Sequence, residues 1–245
     1  MATLPRSVTV AVDFGGASAR AVALAGVIVD RCGAATLRLL HAEALDAPAY
    51  FTAEQIEGLE RQRQTLRKQA EQFLQRFGRQ HTQMRFSTAL DDRAPVDAIL
   101  HESTATDLVV MGTHGRHGPK RWWLGSVAER VLREVEHPLL IVRAAPDQPV
   151  ESTFDRVVVH ASAPLTGQHA LDYARGLASC FSGRVVDARH GLIEPALEAA
   201  RATMLIVAAP QRRSSAWLSN YGEPLVRYCT VPILFVPEIM QGASL

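Results

Sequence analysis

The chain has 245 residues, of which 47% are hydrophobic and 21% are charged, so it is long enough to bury a sizeable core as one large domain or two small ones. Its formal net charge of +1 hides no long acidic or basic run, which argues against bulk attraction to nucleic acid or to a membrane. No apolar stretch approaches the roughly 20 residues of a membrane span, and the N-terminus has no apolar segment of a secretion signal, so we expect a cytoplasmic protein.

Strands and helices are expected to alternate through the first 143 residues, because β-branched runs alternate with segments whose apolar residues recur at helical spacing. The predicted strands are Val8–Val12, Leu37–His41, Met84–Ala89, Asp107–Met111 and Leu139–Val142, and the predicted helices are Ala19–Cys32, Thr52–Phe77, Pro95–Ser103 and Ser126–Glu136. The unbroken apolar run before Gly112 is typical of a strand covered on both faces. This alternation predicts a parallel, doubly wound sheet.

The pattern starts again after Ala144–Pro149, a Pro-rich stretch that we interpret as a linker. Repeats of earlier segments follow it: Arg156–His160, His169–Phe181, Pro195–Val207 and Val231–Val236. The repeat predicts two α/β domains in tandem, residues 1–145 and 146–245. The second is truncated, since one strand and the long helix have no counterpart and about four strands are left.

A glycine-rich loop follows the fourth predicted strand. Gly112 and Gly115 lie just beyond the strand, and Gly125-Ser126 opens the next helix. Glycines let backbone approach a ligand closely, and a helix N-terminus attracts anions, so the pattern favours a phosphate. Ser126 is expected to cap the helix or to donate to a phosphate oxygen, with Arg116, Lys120 and Arg121 supplying charge. The alternative is structural, because Ser126 through Glu129 also reads as a capping box that only starts the helix.

The segment from Pro95 to Arg143 closely resembles the universal stress protein family, whose nucleotide-binding members carry Gly, two residues, Gly, nine residues, then Gly and Ser or Thr. Val10-Ala-Val-Asp13 resembles the family's first strand. The resemblance implies tandem flavodoxin-like, or adenine-nucleotide α-hydrolase-like, domains and a stress-response sensor or regulator that binds ATP or another adenine nucleotide, with Mg²⁺ accompanying the triphosphate. The nucleotide-binding residues that it implies are Asp13, Ala42, Met111, Gly112, Gly115, Arg116, Gly125, Ser126 and Val127.

Two departures from the family pattern bear on this hypothesis. Trp122 and Trp123 stand where the family usually has aliphatic residues. They either cover the loop or are buried in a subunit contact, or one of them stacks on the base or blocks part of the pocket. In the second repeat Ser162 replaces the aspartate, Ala209 and Arg212 replace the first two glycines, and Ser219-Asn220 replaces Gly-Ser. We therefore expect no nucleotide there, and expect the second domain to pack on the first as an internal substitute for a dimer partner, with a homodimer of the whole chain left open.

Metal and catalytic patterns are weak. His114 and His117 are the one close histidine pair, and no carboxylate or cysteine adjoins them, so no metal site is expected. Cys32, Cys180 and Cys229 are far apart in sequence and are expected to be reduced and mostly buried. No positioned base stands out beyond Asp13, so at most slow ATP hydrolysis is expected. Two alternatives to a nucleotide-binding sensor stay open: a nucleotide-free interaction module of the same family, and an enzyme related to adenylyl-transfer proteins or flavoproteins.

Overall fold

The computed structural model describes residues 4–42, 53–113, 125–144, 149–162 and 166–238. We call residues 4–144 the first half and residues 149–238 the second half. The described strands form one nine-stranded sheet: β1 Ser7–Ala11, β2 Thr36–Ala42, β3 Ser87–Asp91, β4 Leu108–Gly112, β5 Leu139–Val142, β6 Arg156–Ala161, β7 Arg184–Asp187, β8 Met204–Pro210 and β9 Ile233–Glu238.

Helices connect these strands on both faces of the sheet. They are α1 Gly16–Cys32, α2 Ala53–His81, α3 Pro95–Ser103, α4 Ser126–Glu134, α5 Gln168–Cys180, α6 Ile193–Ala200, the single turn α7 Ser215–Trp217 and α8 Glu223–Tyr228. A 3₁₀ turn at Val150–Phe154 follows the linker, and a π turn at Leu218–Gly222 joins α7 to α8. Among the described helices, none is both long enough and apolar enough to cross a membrane.

The strand order is β3-β2-β1-β4-β5-β9-β8-β6-β7, and every neighbouring pair is parallel except β5 with β9. Each half is therefore a doubly wound parallel sheet, and the two sheets join edge to edge. The predicted fold class is confirmed, including the shorter second half, which supplies four strands against five. Between α5 and α6 the chain has only β7, so the second half has no counterpart of the long helix α2.

The apolar core lies in two layers, one on each face of the sheet. The central strands carry apolar side chains on both faces, as a sheet covered on both faces requires. In β4 and β8, for example, almost all side chains are buried. Residues of α1, α2 and α5 cover one face, while residues of α3, α4, α6 and α8 cover the other. Each layer contains residues from both halves, so each layer continues across the junction between the halves.

A local two-fold axis relates the halves at the β5–β9 junction. Leu140 pairs with its own counterpart Leu234 in antiparallel register. Two arginines reach across the same junction: Arg213 Nη1 donates to the carbonyls of Leu132 at 2.7 Å and Val135 at 2.9 Å, at the end of α4. Arg143 donates to the Val226 and Arg227 carbonyls at the end of α8. Each half thus satisfies carbonyl groups that the helix of the other half leaves without partners.

One predicted strand of the first half is displaced by more than one residue. The strand expected at Met84–Ala89 is found at Ser87–Asp91. Met84 instead belongs to a turn, in which its backbone N–H donates to the Thr82 hydroxyl at 3.2 Å, while its side chain packs on the core. Met84 is therefore apolar because it packs on the core just after the end of α2, and not because it belongs to the strand.

Candidate functional site

The ends of three neighbouring strands bring most of the predicted site residues to one edge of the sheet. β1 lies between β2 and β4, with Ala11 opposite both Leu40 and Met111. Asp13 follows β1, Ala42 ends β2, and Gly112 ends β4. Because parallel strands end together, these residues share the carboxyl edge of the sheet, where open α/β sheets bind ligands.

Asp13 organises the start of α1. Its Oδ1 accepts hydrogen bonds from the Gly15 N–H at 2.9 Å and from the Ser18 hydroxyl, and its own N–H donates to the Ser18 oxygen at 3.1 Å. The carboxylate therefore compensates the positive end of the helix dipole. Ser18 was not predicted as a site residue, although a serine five positions after an aspartate at a strand-to-helix turn is a usable signal.

A hydrogen bond closes the base of the glycine-rich loop. The Gly125 N–H donates to the Thr113 carbonyl at 2.9 Å, and the Thr113 N–H donates to the Val142 carbonyl at 3.0 Å. The end of β4 and the start of α4 are thus held side by side, although eleven residues lie between Thr113 and Gly125 along the chain. This contact brings Gly112 together with Gly125 and Ser126.

Gly112 has a steric reason to be glycine. A Cβ built there would lie 2.7 Å from Ala17 Cβ and 3.3 Å from the Ser18 backbone nitrogen. The first turn of α1 therefore comes within van der Waals contact of the β4 backbone. The glycine permits the close approach of the N-terminus of α1 to the strand end, whereas the loop pattern predicted the close approach of a ligand, which stays a prediction.

One predicted role of Ser126 is wrong. The N-cap of α4 is Gly125, and no side chain caps the helix, so Ser126 does not act as the cap of a capping box. The reason is that the helix begins one residue earlier than a Ser126 cap would require. Ser126 is already the first helical residue, and Gly125 before it has extended backbone, with φ −65° and ψ 148°. Ser126 is exposed and starts the helix.

Ala42, Met111 and Val127 belong to the apolar layer beneath α3 and α4. Met111 is buried, whereas Ala42 and Val127 are only partly buried. Ala42 and Val127 therefore keep part of their apolar side chains exposed, Ala42 at the end of β2 and Val127 in the first turn of α4. An apolar wall beside a few polar groups is the usual composition of a small-molecule site.

Phe14 and His41 also line this edge, and the sequence analysis missed both. Phe14 has a positive φ of 63°, and its ring lies 4.6 Å from the His41 ring. His41 Nδ1 lies 2.7 Å from the Val12 carbonyl oxygen, a geometry in which Nδ1 carries the proton and donates it. Nothing in the sequence distinguishes a left-handed Phe14 from an ordinary turn residue.

Some predicted residues lie outside the part of the chain that the structure describes. They are Gly115, Arg116, Lys120, Arg121, Trp122, Trp123 and the His114–His117 pair. Asp91, the last residue of β3, forms an ion pair with Arg93, whose Nη2 donates to Asp91 Oδ2 at 2.6 Å. The hydrogen bond from that guanidinium holds the pKa of Asp91 below its usual range.

A sequence model described as the universal stress protein family matches residues 5–143, more than half of the chain. The chain belongs to the universal stress protein family. It is therefore a member of a family of stress-response proteins, and the resemblance noted from the loop and the first strand is confirmed. The match includes every predicted site residue.

Individual universal stress proteins resemble parts or all of the chain. Over 62 residues it is 39% identical to one from Methanocaldococcus jannaschii, and the aligned segment spans 24% of this chain and only 36% of that relative. A universal stress protein from Archaeoglobus fulgidus superposes with a TM-score of 0.65 at 18% identity, covering 99% of this chain and 100% of that one. A protein of unknown function from Pseudomonas aeruginosa PAO1 gives 0.58 at 12%, with 95% and 92% covered. At these identities the two structures show the shared fold alone.

The second half lies beyond the universal stress protein match, and its corresponding edge is filled by its own side chains. Ser162 follows β6 as Asp13 follows β1, and it accepts a hydrogen bond from Trp217 Nε1 at 3.2 Å. The Trp217 ring packs on Tyr221 at 5.5 Å and on Phe235 at 6.1 Å. The indole thus lies beside Ser162, the position in the second half that corresponds to Asp13.

The strand register corrects one correspondence between the repeats. In the β1–β4 pair Val8 lies opposite Leu108, and in the β6–β8 pair Val157 lies opposite Met204. Counting along β8 from Met204, the residue in the position of Gly112 is Ala208, not Ala209 as the sequence suggested. The misplacement arose because α6 and its following turn are shorter than α3 and its turn.

Proposed function

We propose that the first half binds an adenine nucleotide, with ATP as the first candidate, and that the chain acts as a cytoplasmic sensor or regulator in the stress response. The observation that carries this proposal is the hydrogen bond from Gly125 to Thr113, which holds a glycine strand end against the first turn of α4. Backbone N–H groups at such a helix N-terminus are suited to phosphate. Among the residues of the first half that the structure describes, no group beyond Asp13 is placed as a catalytic base, and we propose binding rather than dedicated catalysis.

The residues divide between the parts of a nucleotide. Ala42 and Val127 would contact the base through their exposed apolar surface, and the buried Met111 would support that surface. Asp13 would lie by the adenosine, as the family resemblance implies, while its Oδ1 stays committed to α1. Gly112, Gly115, Arg116, Gly125 and Ser126 would hold ribose and phosphates. Mg²⁺ would be bound by oxygens of the triphosphate.

We propose that residues 1–145 and 146–245 are separate domains in origin, and that only the first binds nucleotide. Trp217 and Ser162 fill the second edge, and Ala208 and Asn220 stand at the positions of Gly112 and Ser126. The second domain would serve as an internal dimer partner, supported by the two-fold pairing of Leu140 with Leu234. Light scattering of the purified chain separates this pseudo-dimer from a homodimer.

Calorimetry and native mass spectrometry with ATP test the binding proposal. The wild-type chain should bind one nucleotide per chain. The double variant Gly115→Val, Ser126→Ala should lose affinity by roughly ten- to a hundredfold, because hydrogen bonds to a charged group contribute about 1.5–3 kcal/mol. Asn220→Ala is the matched control at the corresponding position in the second half, and it should bind as wild type. Unchanged affinity in the double variant would refute the assignment.

The second candidate is a nucleotide-free interaction module of the same family. Its support is the Trp217–Ser162 contact, which shows that this chain keeps the fold at a site closed by its own tryptophan. Protein purified without excess absorbance at 260 nm, and without a thermal shift in millimolar ATP, would favour this candidate over the first.

A further inference from the structure

Two cysteines from different halves meet at the ends of matching helices. Cys32 is the last residue of α1 and Cys180 is the last residue of α5, and these two helices contact each other. The Cys180 thiol lies near enough to Cys32 to raise the pKa of the Cys32 thiol. They are far apart in the sequence and lie in different repeats, so only the packing of one half on the other brings them together.

The surroundings distinguish this pair from the third cysteine. Cys32 and Cys180 are both free thiols and both only partly buried, whereas Cys229 is buried. The Cys180 thiol also donates to the Gly176 carbonyl at 3.5 Å, and Cys229 lies 3.7 Å from the Val231 carbonyl at the end of α8. The pair is thus accessible to a small oxidant, and Cys229 offers an internal control in the same chain.

We propose that Cys32 and Cys180 form an oxidisable dithiol, and that hydrogen peroxide converts it to a disulfide that covalently joins the two halves. One thiolate attacks a peroxide oxygen, the O–O bond breaks, and a sulfenic acid and water result. The second thiol attacks that sulfur, an S–S bond replaces the S–O bond, and a second water leaves. The two sulfurs together lose two electrons, and one peroxide is reduced to two waters.

The disulfide should form slowly and also be reduced slowly. Burial, together with the neighbouring Cys180 thiol, raises the pKa of the Cys32 thiol, so little of the reactive thiolate is present at neutral pH. The same property makes Cys32 a poor leaving group when a reductant attacks the disulfide. The pair therefore acts as a latch that responds to sustained oxidation rather than as a rapid sensor.

The cross-link should stabilise the folded chain. It closes a loop of about 150 residues and so removes much of the conformational freedom of the unfolded chain. For a chain of this size we expect the thermal midpoint of the oxidised protein to exceed that of the reduced protein by roughly 5–15 °C. The inference does not depend on nucleotide binding.

A non-reducing peptide map of the full-length protein tests the proposal. The reduced protein is treated with hydrogen peroxide, its remaining thiols are alkylated, and it is digested and analysed by mass spectrometry. The expected product is one peptide pair joined through Cys32 and Cys180, with Cys229 alkylated. The thermal midpoint should rise with this product and return after dithiothreitol.

Cys32→Ser and Cys180→Ser should each lose both the joined peptide and the shift, while Cys229→Ser should keep both. The map of the wild-type chain decides the question even where a serine variant folds poorly. Saturating peroxide without the intramolecular joined peptide overturns the proposal. So does a cross-link formed only between chains, or oxidation of either cysteine to sulfinic acid without pairing.

Discussion

Replacing Gly112 with alanine probes the contact on which the candidate site depends. The added Cβ would lie 2.7 Å from Ala17 Cβ, 3.2 Å from the Ala17 carbonyl carbon and 3.3 Å from the Ser18 nitrogen. None of these atoms is the end of a flexible side chain, so the first turn of α1 has to move away from β4. Overpacking of this kind costs about 1–3 kcal/mol of unfolding free energy, which lowers the thermal midpoint by roughly 2–12 °C.

Gly16→Ala is the matched control in the same turn of α1. Its added Cβ would meet only Ala144 Cβ, at 3.8 Å, which is ordinary van der Waals contact. Alanine is also the better helix former, so this variant should be as stable as wild type or up to about 1 kcal/mol more stable. Urea and thermal melts of the three proteins give the comparison. Equal stability of the two variants would show that α1 does not contact β4 as described.

The same two variants separate packing from binding. The movement of α1 displaces Asp13 and Ser18, so ATP affinity should fall in Gly112→Ala and stay unchanged in Gly16→Ala. A destabilised Gly112→Ala protein that binds ATP as tightly as wild type would keep the packing argument and contradict the proposed site.

Two further predictions concern the second half. Tyr173→Phe should raise the unfolding free energy by about 1 kcal/mol at neutral pH, because the Tyr173 hydroxyl is buried without a hydrogen-bond partner in the described part of the chain. Burial also raises the pKa of Tyr173, so above about pH 10 this tyrosine ionises in the unfolded state before it ionises in the folded state, and the wild-type protein loses stability. Urea melts near pH 7 and about pH 10.5 should show that the stability difference between Tyr173→Phe and wild type grows with pH. A difference that stays constant would contradict this prediction. Glu238→Gln should lower the free energy of unfolding by about 1–2 kcal/mol, because the buried Glu238 carboxylate accepts a hydrogen bond from the Ala170 N–H at 2.7 Å at the N-terminus of α5. Thermal melts measure the change, and an unchanged midpoint would show that the charge of Glu238 is unimportant.

The parts of the site that the sequence predicted are those that depend on local order. Strand, glycine turn and helix alternate at a regular spacing, and parallel strands end at one edge, so Asp13, Gly112 and Gly125 were expected to be close. The capping of α4 was not predicted correctly, because Gly125 and Ser126 are both good N-terminal residues and only backbone dihedrals separate them. The sequence pattern alone does not determine which of two adjacent residues is the N-cap of the helix.

Contacts between the halves were beyond sequence reasoning for a different reason. Cys32 and Cys180, like Arg213 and the α4 carbonyls, come together only through the antiparallel pairing of β5 with β9. The sequence indicated a repeat, but it did not indicate which edges would join. Burial lowers the pKa of Arg213 to about 10, a consequence of that junction which no local pattern around Arg213 predicts.

The second half is a doubly wound sheet without the strand–helix unit that β2 and α2 form in the first half. In chain order β7 stands where β3 does, directly before the helix that leads to the central strand, and both strands end in Asp-x-Arg with an ion pair, Asp91–Arg93 and Asp187–Arg189. In space, however, β7 pairs with β6, which is the place that β2 takes beside β1. The second half therefore has no β2–α2 unit, and its edge strand β7 lies directly beside β6 and keeps the ion pair at the edge of the sheet. Parallel pairing permits this because the hydrogen bonds are between backbones, and an edge strand needs only a neighbour of matching direction.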